Sequence, residues 1–165
     1  MADRYDSLRH QALMATVGSM KRRWEEDLYV APPDSLEDFF ANESPADGLV
    51  IADEMGAAIR QLELLNLAIR TTSYLEPEPL QEFVVEAARN ELDGPRPASG
   101  SAGVSRLTSL NEEIYERLDT LRIENWKNEA TWGGLSLSIS DLAKGVSRVN
   151  VERLNRATRA LTSQN

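Results

Sequence analysis

An apolar stripe between Ile51 and Ile69 constrains the fold of this chain more than any other sequence feature. Because an α-helix has about 3.6 residues per turn, alternating steps of four and three residues keep one side of a helix apolar over about five turns. Such a helix must bury that side against other helices. It is predicted to run from an N-cap at Ser44 and Pro45 to about Tyr74. The stripe consists of Ile51, Met55, Ala58, Leu62, Leu65 and Ile69.

A second apolar stripe lies in the second half of the chain. It repeats the spacing of three and four residues and predicts a helix that begins at Ser105 or Thr108 and ends near Ala130. Its members are Leu107, Leu110, Ile114, Leu118 and Leu121.

Apolar spacing and helix-stop signals predict four further helices. Pro32 and Pro33 end the first, because proline lacks the backbone N–H that a helix needs. Ser138 and Asp141 form a capping-box pattern at the start of the last. Residues 135–140 also alternate like a strand, but we favour the cap because the sequence offers no second strand for pairing. The predicted bounds are about 4–29, 35–40, 80–92 and 139–161.

Together these elements predict an all-α protein: a helical bundle of about five main helices plus one short helix, with long antiparallel hairpins. The 165 residues fit a single helical domain over 1–165. Glycine, proline and serine dominate 93–104, so this stretch is expected to be a flexible linker that divides the domain into 1–92 and 105–165. The helix of the first stripe is apolar on more than one side, which favours a central place in the bundle and oligomerisation.

The amino-acid composition excludes several kinds of catalytic and metal-binding site. The absence of cysteine excludes disulfides, thiolate catalysis and metal sites that use cysteine ligands. His10 is the one histidine, so paired Glu-x-x-His di-metal sites cannot form, and no glycine-rich phosphate loop is present. Without a secretory leader or an apolar run of about 18 residues, we expect no membrane segment and a cytoplasmic location. No cofactor or metal is expected.

An acidic cluster on the helix of the second stripe is the strongest candidate for catalysis. Glu112, Glu113, Glu116 and Asp119 include an E-x-x-E pair, the spacing with which all-helical pyrophosphohydrolases hold Mg²⁺. Those enzymes need an E-x-x-D pair on a following helix, whereas the E-x-x-D pair here shares Glu116. Helical geometry also points the cluster away from the apolar stripe, toward water. A Mg²⁺-dependent nucleotide hydrolase is therefore the third hypothesis.

Charge is segregated along the chain, whose net charge is −9. Residues 25–93 carry 17 acidic and three basic residues, whereas 1–24 and 141–165 are mildly basic. An acidic stretch keeps a protein soluble and can also dock a basic partner. The leading hypothesis is a non-catalytic subunit, adaptor or regulator that acts through protein–protein contacts within a homo- or hetero-oligomer. Its predicted docking residues are Glu25, Glu26, Asp27, Glu37 and Asp38.

The basic ends of the chain support an alternative, a small helical subunit of a nucleoprotein complex. Phosphate contacts require clustered lysine and arginine, and the last helix carries three basic residues on one side. The overall negative charge disfavours this alternative, and it leaves open the inverse case, in which the acidic middle imitates nucleic acid. The candidate nucleic-acid-binding residues are Lys21, Arg22, Arg23, Lys144, Arg148 and Arg159.

Overall fold

A computed structural model describes residues 4–30, 32, 34–73, 83–132 and 134–164. Helices form most of the chain, and the sheet found within these ranges is one two-stranded hairpin, so the all-α prediction is confirmed. The elements are α1 (Arg4–Ser19), α2 (Arg23–Leu28), α3 (Ser35–Phe39), α4 (Ile51–Ser73), α5 (Val84–Ala88), α6 (Gly100–Asp119), a 3₁₀ helix (Ile123–Lys127), β1 (Glu129–Trp132), β2 (Leu135–Ser138) and α7 (Ile139–Thr162).

Helix α4 lies at the centre of the bundle and packs against α5, α6 and α7. All six residues of its stripe are fully buried, which confirms the prediction of a central helix. On α6, four members of the second stripe are buried and Leu121, just beyond the helix, is half-buried. Burial of these two stripes stabilises the bundle, because apolar side chains gain free energy on leaving water.

The predicted first helix is divided in two. Residues 20–22 form a turn between α1 and α2, in which the backbone N–H groups of Met20 and Lys21 donate to carbonyls three residues earlier, at 3.1 and 3.3 Å. This tighter hydrogen-bond pattern ends α1. The apolar side nevertheless continues across the turn, because Val17, Trp24 and Leu28 are all buried.

The predicted start of α4 is wrong by six residues: Ser44 and Pro45 belong to a loop, and the helix begins at Ile51. An isolated bridge between Glu43 and Val50 closes this loop. The Ser44 hydroxyl bonds to Asp47 at 2.9 Å and to the Ser163 hydroxyl at 2.6 Å. The loop therefore uses Ser44 as a tether to the end of α7 instead of as a helix cap.

The predicted extent of the helix of the second stripe is also wrong. Helix α6 begins at Gly100, where the Ser99 side chain accepts the N–H of Ala102, and it ends at Asp119 instead of near Ala130. The Thr120 hydroxyl bonds to the Arg117 carbonyl at 3.0 Å, a local contact that competes with further helix.

A β-hairpin follows, and it corrects the argument that no second strand exists. Strands β1 and β2 pair antiparallel from Glu129 opposite Ser138 to Trp132 opposite Leu135. The predicted capping box at Ser138 and Asp141 is also confirmed, so residues 135–138 form a strand and the cap opens α7 directly after it.

Part of the predicted linker is ordered against α4. Residues 94 and 95 cross α4 at Gly56 so closely that a Cβ built on Gly56 would lie 2.5 Å from the Pro95 carbonyl oxygen. Arg96 forms an ion pair with Asp53 of α4, with atoms 2.6 Å apart, and residues 100–103 form the first turn of α6. Subdivision of the chain at 93–104 stays a prediction. The helix predicted over 80–92 is shorter in the structure, where α5 spans Val84–Ala88. Residues 80–82 lie outside the described ranges.

A buried pair of amide side chains links α6 and α7. Asn111 and Asn150 exchange two hydrogen bonds, at 2.7 and 3.0 Å, and each also donates to a carbonyl of its own helix. The Trp24 indole N–H donates to the Asn150 side-chain oxygen at 3.0 Å, which ties α2 to the same pair. Since buried polar groups are costly without partners, this set of bonds fixes the register of three helices.

A buried ion pair joins α4 to α7. The Arg153 guanidinium lies 2.9 Å from the Glu54 carboxylate, and both side chains are less than a tenth exposed. Asn90, which follows α5 with a φ of +60°, accepts from Arg153 Nε at 2.6 Å and donates to Glu152 at 2.6 Å. Asparagine tolerates this left-handed conformation better than most residues. The chain reversal after α5 is thus held by the same arginine that pairs with α4.

Candidate interaction surface

Helices α2 and α3 carry the predicted docking residues and are held to the bundle by a few buried side chains. On α2 these are Trp24 and Leu28, and on α3 they are Ser35 and Leu36. The Ser35 N–H donates to the Pro32 carbonyl at 2.8 Å, and α3 begins at Ser35. Because both helices are short, these anchors decide which of their side chains face outward.

Two of the predicted docking carboxylates have ion-pair partners within α2 or at its start. Glu25 pairs with Arg22 at 3.4 Å, and Asp27 pairs with Arg23 at 3.2 Å. Such exposed pairs contribute little to stability. Glu26 and Asp38 are exposed and form no ion pair with the described residues, so their charges are open to a partner.

The Glu37 carboxylate has a structural contact as well. Its two oxygens accept the backbone N–H groups of Gly100 and Ser101, at 3.2 and 2.7 Å. These are unpaired donors at the start of α6, where negative charge is favourable. Glu37 therefore joins α3 to α6, a role that the sequence does not reveal because the partners are 63 and 64 residues away.

Two exposed residues at the end of α2 complete the surface, and the sequence analysis missed both. Tyr29 is 47% exposed and Val30 is 83% exposed. Partial burial, then Glu25 and then Glu37 raise the pKa of Tyr29 above its ordinary value near 10.0. Glu25 and Glu37 are thus both close enough to Tyr29 for their charges to act on its pKa. We call Tyr29, Val30 and the five predicted acidic residues the docking surface.

This arrangement predicts how Tyr29 titrates. Replacing Glu25 with Gln removes one of the charges that raise the pKa of Tyr29, so the pKa falls toward its ordinary value. The measurement is absorbance at 295 nm against pH, with Tyr29→Phe used to assign the signal. Because the folded-state pKa lies above the unfolded one, the stability that Tyr29 contributes is present below about pH 10 and is lost as pH rises through the folded-state pKa.

The matched control for this titration is Glu26→Gln, since Glu26 does not contribute to the raised pKa of Tyr29. An equal fall in pKa for both variants would show that general surface charge, and not the placement of Glu25, sets the titration.

The candidate nucleic-acid-binding residues fall into two groups. Arg22 lies 3.3 Å from Glu112 on α6, and the Lys21 ammonium lies 4.1 Å from the centre of the Tyr115 ring. These basic residues, with Arg23, already have partners. In contrast, the three on α7 are exposed on the side opposite its buried residues and form no ion pair with the described residues: Lys144, Arg148 and Arg159. We call these three the basic strip.

The acidic cluster of the third hypothesis does not gather into a metal site. Glu112 faces Arg22, and Glu113 lies 3.5 Å from Arg117. Glu116 and Asp119 are exposed. Among the residues that the structure describes, no group of three or more His, Asp or Glu side chains is arranged to hold a metal ion.

Comparisons with protein-family models, with curated proteins and with solved structures found no match to this chain.

Within the described ranges, none of the helices combines the length and apolar content that crossing a bilayer requires.

Proposed function

We propose that this protein is a non-catalytic adaptor or complex subunit that binds a basic protein partner through the docking surface. The observation that carries this proposal is the exposure of Tyr29 and Val30 beside Glu25 and Glu37. An aromatic residue with one apolar neighbour is typical of the centre of a protein interface, and charged residues are typical of its rim.

Charge complementarity identifies the chemistry of the partner. Glu26 and Asp38 add unpaired negative charge to the two short helices, and the region around them is the most acidic part of the sequence. A basic segment with at least one apolar side chain fits such a surface, since opposite charges raise the rate of association and an apolar contact slows dissociation. The expected compartment is the cytoplasm, as in the sequence analysis.

The test is affinity purification from the native host, followed by binding measurements on the purified partner. A double variant, Tyr29→Ser with Val30→Ser, removes the apolar centre of the docking surface without touching a buried residue. We expect its affinity for the partner to fall by at least about tenfold, the usual cost of removing a central interface aromatic. Binding should also weaken as salt rises.

The matched control is Leu8→Ser, because Leu8 is an apolar residue on α1 whose exposure, 56%, lies between those of Tyr29 and Val30, and it is outside the docking surface. A partner that still binds the Leu8→Ser variant but no longer binds the double variant supports the proposal. Partners retained by all three proteins contradict it.

The basic strip supports a second candidate, contact with nucleic acid. Three exposed cations without ion-pair partners among the described residues are free to meet phosphates. In the same purification, nucleic acid that is recovered with the protein and lost on Arg148→Glu would favour this candidate over the docking surface.

A further inference from the structure

A cleft between α1, the 3₁₀ helix and the start of α7 is separate from the docking surface. Its volume is about 660 Å³, within the range of pockets that hold small molecules. Leu13, Ile123 and Trp126 form its apolar part. Ile123 is 37% exposed, so the described part of the chain leaves an apolar side chain uncovered at this place.

The charges around the cleft are mainly positive. Arg9, Lys127 and Lys144 line it together with one acidic residue, Glu129. Lys144 forms no ion pair with the residues that the structure describes, and the Glu129 carboxylate accepts the Ser136 hydroxyl at 3.0 Å. The Lys144 ammonium therefore favours an anion at this end of the cleft.

Two nitrogen atoms of the cleft residues are buried without hydrogen-bond partners in the structure: Trp126 Nε1 and His10 Nδ1. The two rings meet edge to face, with centres 4.4 Å apart, and Trp126 is only 5% exposed. A buried indole N–H ordinarily finds an acceptor, because leaving it without one costs free energy. Because Trp126 Nε1 is buried, an oxygen atom of a ligand in the cleft supplies that acceptor once the ring shifts toward the cleft.

We propose that this cleft binds a small amphipathic anion, with an apolar body against Leu13, Ile123 and Trp126 and an acidic head group near Lys144. The apolar lining accounts for the body of the ligand. The unpaired ammonium and the indole N–H account for a carboxylate or sulfonate head, since both donate hydrogen bonds and one adds positive charge. This inference does not depend on the proposed partner protein.

The test uses 8-anilinonaphthalene-1-sulfonate, an aromatic anion whose fluorescence rises in apolar surroundings. We expect saturable binding at one site per chain, displacement by decanoate and no displacement by decyltrimethylammonium, which has the same apolar body and the opposite charge. Lys144→Glu should weaken binding by about tenfold, because it removes a charge-assisted contact and adds repulsion.

Arg148→Glu is the matched control, since Arg148 lies one turn further along α7, is exposed, and does not line the cleft. Its affinity for the probe should stay within about twofold of the unmodified protein, because exposed charges at this distance are partly screened. Trp126→Phe keeps the ring beside His10, removes the N–H and should weaken binding several-fold. Equal losses for both charge reversals, displacement by the cationic competitor, or no saturable binding up to millimolar probe would each overturn the proposal.

Discussion

Replacing Arg153 with Met should lower the free energy of unfolding by about 3–5 kcal/mol, because the buried Glu54 carboxylate would lose its hydrogen-bonded partner and keep only the more distant Arg156, 3.9 Å away. Met fills much of the same volume, so the loss of charge and hydrogen bonds dominates. The variant also leaves the Asn90 side-chain oxygen without its donor. Urea unfolding followed by circular dichroism at 222 nm measures the change.

The matched control is the exposed ion pair of Asp53, the residue before Glu54 on α4. Arg96 forms a two-point hydrogen-bonded pair with Asp53, at 2.6 and 3.2 Å, but both side chains are about half exposed. Arg96→Met should therefore cost far less stability than Arg153→Met, because water screens an exposed pair. Replacing both members of the buried pair, Glu54→Leu with Arg153→Met, should recover a large part of the loss. Similar costs for the two arginine variants would show that Arg153 is not effectively buried.

The second large effect is expected at Asn150. Asn150→Leu removes the acceptor of the Trp24 N–H and both hydrogen bonds between Asn150 and Asn111. Two buried polar groups left without these partners cost about 1–3 kcal/mol each, so the expected loss of stability is about 2–6 kcal/mol. The same urea unfolding experiment measures it.

Two further variants make this prediction specific. Asn155→Leu changes an exposed asparagine on the same helix and should have an effect within about 0.5 kcal/mol. Adding Asn111→Leu to Asn150→Leu should cost less than the sum of the single changes, because Asn111 has already lost its partner. Additive losses would contradict the paired-amide arrangement.

The Asn150 variant also bears on the proposed function. Trp24 is one of two buried anchors of α2, which carries three acidic residues of the docking surface and is followed directly by Tyr29 and Val30. Weakening this anchor should therefore reduce partner binding even though Asn150 is fully buried. Both Trp24→Phe and Asn150→Leu remove the hydrogen bond between these residues, but only Trp24→Phe also removes buried ring volume from the anchor, so a larger loss of binding for Trp24→Phe measures the contribution of packing.

The apolar skeleton of the fold could be predicted because helical spacing is a local property. The stripes on α4 and α6 and the run through Val17, Trp24 and Leu28 are buried as their spacing indicates. The start of α7 could also be predicted from the sequence, because a capping box needs two residues only three positions apart.

The polar core could not be predicted, since its partners are far apart in sequence. Asn111 and Asn150 are 39 residues apart, and Glu54 and Arg153 are 99 apart. One signal was nevertheless present: Asn111 falls in the same helical phase as Leu107, Ile114 and Leu118. A polar residue within an apolar stripe indicates a buried hydrogen bond, but not its partner.

The region after α6 shows a different cause of failure. The predicted helix extended to about Ala130, into β1, although its apolar stripe ends at Leu121. The two glycines after Trp132 and the alternation of Leu135 and Leu137 were the better signal, because a two-residue glycine loop between apolar alternations is typical of a hairpin. Gly134 does adopt a positive φ, +80°.

The crossing of two backbones at Gly56 and Gly94 gives this fold a signature that surface residues do not provide. A Cβ at Gly94 would meet the Gly56 carbonyl oxygen, just as one at Gly56 would meet Pro95. Any chain built this way must retain the smallest residue at both places, however much its exterior has diverged. Distant relatives can therefore be sought by a pair of glycines. One lies in the first turns of a long apolar helix, and the other lies before the next long helix.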